Sequence, residues 1–334
     1  AVSPFLLQDG DTGDYHMFPS VGLSENGIAT AIWYKGPPWD GDRVMARRFR
    51  LNGELIDAAF QVNRENLLSY SKPGLGVLDG GETCVVWERR NSNERSEIMG
   101  RLYSAAGRPL GEPFSLQHTL FSHNTAVQIA SDKNNKFAVS WVRKSEKDGH
   151  HLIIKTYLLN GGSLEEKQHN ISLPLPHRYS YNLSMNSSGR ILITARAGNM
   201  NIRLDKELNH LPTVNELNID KYTVGDASHL TAVLDKESRI HMLWLRSVKG
   251  GKPARSLIRK FFNWNGDSLS PAFIADKVPE GSASQVDPQV SILDEEGFIV
   301  SWQDYRGRPT FYSRAFNSAG TPRGESVQAI DFDN

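Results

Sequence analysis

The stretch GVLDGGETCVVWERR, residues 76–90, carries a tight-turn signal at Asp79, Gly80 and Gly81, then a β-prone apolar run from Thr83 to Val86 closed by Trp87. Glycine tolerates the positive φ of a tight turn, and β-branched residues suit a pleated, half-buried surface. One such unit is a strand after a turn. The fold is decided by its recurrence. Trp33 in NGIATAIWYK, Trp87, and Trp141 in NKFAVSWVR fall at a constant interval of 54 residues. A further 54 residues lead to Ala195 in GRILITARA, which keeps the turn and the strand but lacks the Trp, and Trp244 and Trp302 follow at intervals of 49 and 58. Six units therefore tile the chain of 334 residues.

Each unit has the same internal order. A short first strand (PSVGLS, PGLGVL, TAVQIA, YNLSMN, SHLTAV, PQVSIL) leads through a polar turn to the strand that ends at the Trp position. A third strand follows (VMARRFR, EIMGRLY, LIIKTYL, LIRKFFN, TFYSRAF), then a turn at Gly53, Gly107, Gly161, Gly266 or Gly320, then a fourth strand such as LIDAAFQV or PFSLQ. Four antiparallel strands make a blade that cannot bury both faces alone, so neighbouring blades must stack, and radial closure removes the exposed ends. The expectation is an all-β, six-bladed β-propeller of four-stranded antiparallel blades. It forms one domain over 1–334, with blades at approximately 14–63, 64–117, 118–172, 173–220, 221–276 and 277–334 plus 1–13. SPFLLQDG at the start resembles the fourth-strand sequence EPFSLQ, so Pro4 to Gln8 is expected to close the ring by pairing in the sheet that holds residues 325–332. The five tryptophans of the column are expected in the sheet-to-sheet core.

Composition narrows the function classes. Lys plus Arg and Asp plus Glu number 38 each, so the formal charge is zero and gives no global pull toward nucleic acid or an anionic membrane. No apolar run approaches the roughly 18 residues of a membrane span. The single cysteine, Cys84, lies inside an apolar run, which makes it a buried structural thiol and excludes an intramolecular disulfide. The opening Ala-Val-Ser-Pro is what a processed, exported chain looks like, and equally a trimmed one.

The units resemble the turn-rich repeats of the form P-x-V, D-G-G-x-x-x-V-W, Y-x-x-x-G-x-P-x-G found in secreted bacterial β-propellers, and PGLGVLDGGETCVVWERR followed by RLYSAAGRPLGEPFSLQ is the closest copy. The resemblance runs through the whole chain and implies the fold and a secreted or periplasmic location; it implies no particular role. No blade has the Gly-His and Trp-Asp pair of WD repeats, nor the Ser-x-Asp-x-Gly-x-Thr-Trp box of sialidases.

Propeller sites usually occupy the face where loops before the first strand and after the second emerge. Before the first strands lie Tyr15 and His16, Tyr70, His123, His177 with Arg178 and Tyr179, Asp226 and Asp287. After the Trp position come Lys35, Arg89, Arg143 and Arg246, each two residues on, with Arg196 beside the vacant position and Asp304 with Arg306 in the last unit. If the blades are equivalent, the first set makes a ring rich in His and Tyr and the second a cationic ring. A cationic collar neutralises the carboxylate or sulfate of an acidic sugar, and His or Tyr nearby supplies the proton transfer of a β-eliminating lyase, with His123, Tyr179, His177 and Arg178 as its candidate catalytic group. A hydrolase wants two carboxylates instead, for which Asp226 with Asp287 or Asp304 is the set. The plain alternative is that arginines at strand ends cover aromatics or pair with neighbouring carboxylates.

Two functions of different class follow as expectations. The first is an exported recognition propeller that binds a glycan, acidic or not, or a protein partner, with Lys35, Trp39, Tyr70, Arg89, Arg143, Arg196, Arg246, Asp304 and Arg306 as ligand-binding residues. The second is a carbohydrate-active enzyme, a polysaccharide lyase or glycoside hydrolase acting on an acidic polysaccharide. No cofactor is called for. DGDTGD offers carboxylates at Asp9, Asp11 and Asp14 for calcium but lacks the later Glu of a calcium loop. His150 and His151 are adjacent on an extended segment and point apart. Asn170, Asn182 and Asn186 stand in Asn-x-Ser sequons. Phosphate-cradling loops, a nucleophile elbow and Cys/His metal spacing are absent from the sequence.

Overall fold

The computed structural model describes residues 7, 15–36, 43–64, 72–90, 96–117, 123–145, 149–175, 181–195, 200–204, 227–247, 255–275, 285–293, 297–304 and 310–330. Every regular element among them is a strand. The chain divides into two compact units, Ala1–Arg178 and Tyr179–Asn334.

The first unit holds three antiparallel sheets, each built in chain order. They are β1 (Tyr15–Leu23), β2 (Ile28–Gly36), β3 (Arg43–Arg50) and β4 (Phe60–Gln61); β5 (Gly74–Val77), β6 (Thr83–Arg90), β7 (Ser96–Tyr103) and β8 (Phe114–Ser115); and β9 (His123–Ser131), β10 (Lys136–Ser145), β11 (Gly149–Asn160) and β12 (Ser163–Leu175). The second unit holds β13 (Tyr181–Met185), β14 (Ile191–Ala195) and β15 (Met200–Leu204); β16 (Ala227–Leu234), β17 (Ile240–Ser247), β18 (Arg255–Phe262) and β19 (Phe273–Ile274); and β20 (Gln285–Leu293), β21 (Gly297–Asp304), β22 (Thr310–Phe316) and β23 (Val327–Ile330).

The protein is thus all-β, with four-stranded antiparallel sheets in a propeller arrangement. The expected count of six four-stranded blades is corrected to five, because the sheet of β13–β15 has three strands among the described residues. That sheet is the unit without the Trp. Its three strands span five residues each. The last sheet takes its fourth strand from Val327–Ile330 on β22. The expected pairing of Pro4 to Gln8 with that sheet lies outside the described residues, except for Leu7.

The Trp column is the core. Trp33, Trp87, Trp141, Trp244 and Trp302 are all buried. Each of the last four packs on the preceding sheet of its own unit: Trp87 with Ile32, Tyr34 and Val44, Trp141 with Val86 and Ile98, Trp244 with Leu192, and Trp302 with Leu243, Leu245 and Leu257. Gly76 in β5 serves the same layer, because a Cβ there would lie 2.8 Å from the Phe137 ring. Cys84 is buried, and desolvation pushes its thiol up to about 12, so it is inert packing.

An arginine in the third strand ties successive sheets together. Arg47, Arg101 and Arg314 stand opposite Ala31, Val85 and Val300, each two residues before a column Trp. In each case Nε donates to a carbonyl of the same blade, that of Asp57, Gly111 or Gly324. Nη1 reaches a carbonyl of the preceding fourth-strand sequence: Leu7 at 3.0 Å, Val62 at 2.8 Å and Ala275 at 3.3 Å. Leu7 therefore stands to the first sheet as Val62 stands to the second.

Candidate functional site

The second strands end in register with the starts of the first and third, which gathers the expected cations at one end of the sheets. Lys35 on β2 faces His16 on β1 and Arg43 on β3. Arg89 on β6 faces Glu97 on β7. Arg143 on β10 faces Asn124 on β9 and His151 on β11, and Lys144 faces His123 and His150. In the second unit Arg246 faces Ala227 and Ser256, and Asp304 faces Gln285 and Thr310. The two sets read as rings in the sequence are thus neighbours across strand pairs. The side chains of His123, Arg246, Asp287 and Asp304 lie outside the described set, as do residues Asp9, Asp11, Asp14, Trp39, Tyr70, His177, Arg178, Tyr179, Arg196, Asp226 and Arg306.

Among the described cations the environments differ. Arg89 Nη2 lies 2.5 Å from Glu97 Oε2, with both side chains partly exposed. This is the carboxylate pairing of the plain alternative, and half of the local charge is cancelled there. Arg143 differs, since its Nε is buried and makes no hydrogen bond. Lys35 and Arg43 are like charges directly opposite one another. The indole of Trp33 lies 6.5 Å from the His16 ring, which fixes the imidazole beside Lys35.

A cleft of about 200 Å³ opens beside Arg89, with Trp87 and Met99 as its apolar wall and Asn63, Arg64 and Glu112 among its polar lining. Arg64 Nη2 and Glu112 Oε1 are 2.6 Å apart across it. Two guanidinium groups, of Arg64 and Arg89, and one carboxylate, of Glu112, therefore border one small cleft, which suits a polar, charged ligand better than an apolar one. His150 and His151 stand at successive positions of β11, so their side chains diverge. Among the described residues no group of three or more His, Cys, Asp or Glu could hold a metal ion. Asn186 is buried and donates to Asp235 O and Ser238 Oγ, so its sequon is spent in packing two hairpins together.

Two features escaped the sequence reading. The basic column of the third strands, at Arg47, Arg101, Lys155, Lys260 and Arg314, was visible as a repeat in the aligned units. Glu97, eight residues from Arg89, was within reach once the β6 and β7 hairpin was registered.

No family model and no curated protein matches the sequence. Solved structures do match at the level of fold. A protein of unknown function from Dyadobacter fermentans is 9% identical with a TM-score of 0.54, over 93% of each chain. An ulvan lyase, described as a new family of polysaccharide lyase and bound to a saccharide of glucuronate and sulfated rhamnose, is 12% identical with a TM-score of 0.56, over 92% of this chain and 82% of that one. Prolyl oligopeptidase B from Galerina marginata is 10% identical with a TM-score of 0.57; the match takes in 95% of this chain and only 42% of the oligopeptidase. At these identities the likeness is one of β-propeller fold.

Proposed function

We propose that the chain is an exported recognition propeller that holds an acidic glycan at the strand ends of its first unit. The observation that carries this reading is the run of cations at equivalent positions of three successive sheets, Lys35 with Arg43, Arg89 facing Glu97, and Arg143 with Lys144. Partly buried cations attract a carboxylate or sulfate more strongly than exposed ones, because water screens them less. Arg143, with a buried Nε that no protein acceptor meets, is the residue best placed to gain a hydrogen bond from such a ligand. The ulvan lyase, solved with a glucuronate-containing saccharide, supports the choice of ligand class on this kind of fold.

A second reading, a β-eliminating lyase, is favoured by one feature: His16 faces Lys35, and His151 faces Arg143. An imidazole beside a cation that neutralises a uronate is the pairing such chemistry needs, one group acidifying the carbon-bound proton and the other removing it. Titration calorimetry with uronate-containing and neutral oligosaccharides, with absorbance of the unsaturated product followed in parallel, tests both. Preference for the uronate without cleavage supports recognition, and cleavage abolished by His151→Ala or His16→Ala supports the lyase. Equal affinity for the two ligand classes overturns the acidic-glycan reading.

A further inference from the structure

The third-strand arginine that ties one sheet to the next is broken at one junction of the first unit. Lys155 on β11 stands opposite Val139, the position that Arg47, Arg101 and Arg314 hold in their own sheets. It does not reach the preceding sheet. Its Nζ turns to the carboxylate of Glu166 on β12, at 2.8 Å from Oε1 and 3.0 Å from Oε2. The carbonyl that an arginine here would have met is that of Leu116, the equivalent of Val62 and Ala275: the amide of each of these three residues bonds back to its own third strand, at Ile98, Val44 and Leu257. Leu116 O keeps only a long contact of 3.3 Å from the Tyr157 hydroxyl.

The place the arginine would fill is open. A groove of about 370 Å³ lies at this junction, floored by Leu116, Phe114, Leu164 and Tyr157, with Glu112 and Glu166 among its polar lining. That volume is in the range of small-ligand sites, which begin at about 300 Å³. The lining combines Leu116, whose carbonyl accepts from the Tyr157 hydroxyl, with apolar and aromatic walls and carboxylates, which together match a guanidinium on an aliphatic stem. The pair of Glu112 with Arg64 is exposed on both sides, at 65% and 64%, and an ion pair so exposed is readily exchanged for another cation.

We propose that this groove between the second and third sheets binds an arginine side chain of a peptide or protein partner, which completes from outside the tie that Lys155 leaves open. The guanidinium lies against Leu116 O and takes Glu112 as its counter-charge, while its methylenes cover Phe114 and Leu164. The groove shares Glu112 with the cleft beside Arg89 but selects the opposite charge from the cationic strand ends.

The test uses the full chain and two blocked tripeptides, Gly-Arg-Gly and the same peptide with citrulline, which keeps the stem and shape and loses the charge. Chemical-shift perturbation and calorimetry are expected to show the arginine peptide binding roughly tenfold tighter, as loss of a charge-assisted hydrogen bond dictates. Lys155→Arg closes the tie from within, so it is expected to raise Tm and to abolish peptide binding. Glu112→Gln, at a side chain that is 65% exposed, is expected to weaken the arginine peptide and leave the citrulline peptide as it was. Equal binding of the two peptides, no binding of either, or undiminished binding by a folded Lys155→Arg protein overturns the proposal. Should that variant fail to fold, an unchanged affinity in Glu112→Gln does so.

Discussion

Arg259 shows how far one side chain can depart from its repeat. In the third strands of the first, second and last sheets its position is held by Ala46, Gly100 and Ser313. Arg259 is 1% exposed, and none of its three guanidinium nitrogens makes a hydrogen bond. It lies 3.7 Å from the ring centroids of both Phe261 and Phe298, with Phe273 and Phe316 at 4.4 and 5.0 Å. Burial pushes its pKa down to about 8, so the charged form is held by ring quadrupoles alone. Arg259→Met keeps the stem and the aromatic packing and removes the desolvated charge. Denaturant melts are expected to show it as stable as the parent or more so, by up to about 3 kcal/mol. Beside it, His241 is buried and neutral. Desolvation lowers its pKa in spite of the hydrogen bond of Nε2 to Asp235 Oδ2 at 2.9 Å, and Nδ1 has no partner to receive a proton toward. Desolvation alone would raise Asp235, but hydrogen bonds from His241 and Arg239 outweigh it and hold the carboxyl low. Both shifts have the same consequence in acid. The unfolded chain binds protons that the native one does not, first at histidine below about pH 6.5 and then at aspartate below about pH 4. Stability is therefore expected to fall as pH drops from about 6.5, and His241→Phe is expected to reduce that slope by up to about 1.4 kcal/mol per pH unit.

At the scale of strands, the Trp column predicts which changes the fold tolerates. Trp87 fills the layer between the first two sheets with Ile32, Tyr34 and Val44, so Trp87→Ala is expected to cost about 3–5 kcal/mol in equilibrium unfolding. Arg89, two residues along the same strand, is partly exposed and paired with Glu97. Arg89→Ala is expected to cost at most about 1 kcal/mol. Gly76→Ala probes the next layer, between the second and third sheets, since the new Cβ would press on Phe137. The column, the hairpin turns and the order of strands were legible because each is set by local pattern and repeats at a fixed interval. The three-stranded form that the β13–β15 sheet takes among the described residues was not, since loss of the Trp announces a different packing without saying which. Nor was the burial of Arg259. Two of its four aromatic neighbours, Phe298 and Phe316, come from the following sheet, and no pattern within residues 255–262 marks a basic residue as enclosed. At the candidate site the sequence placed Lys35, Arg89 and Arg143 at equivalent strand ends; what it left out was the carboxylate of Glu97, which decides how much of that charge is free.

Over the whole molecule positive and negative side chains balance, so any attraction to an acidic ligand must be local. Fields of exposed charges die away over about 8 Å at physiological ionic strength, which separates a local effect from a global one. Glu97→Gln adds one unit of positive charge and removes the partner of Arg89, 2.5 Å away. Glu325→Gln adds the same unit in the second unit of the chain, at a side chain that is 98% exposed. If the strand ends of the first unit hold a uronate, Glu97→Gln tightens its binding several-fold at low salt, because a guanidinium released from its carboxylate is free for the ligand. Glu325→Gln leaves the affinity unchanged. The gain should shrink as salt is added, and a neutral oligosaccharide should show no gain in either variant. Calorimetric titration of both variants at two ionic strengths decides the matter. Equal tightening by both would mean that net charge governs binding, and no tightening by Glu97→Gln would mean that Arg89 takes no part in it.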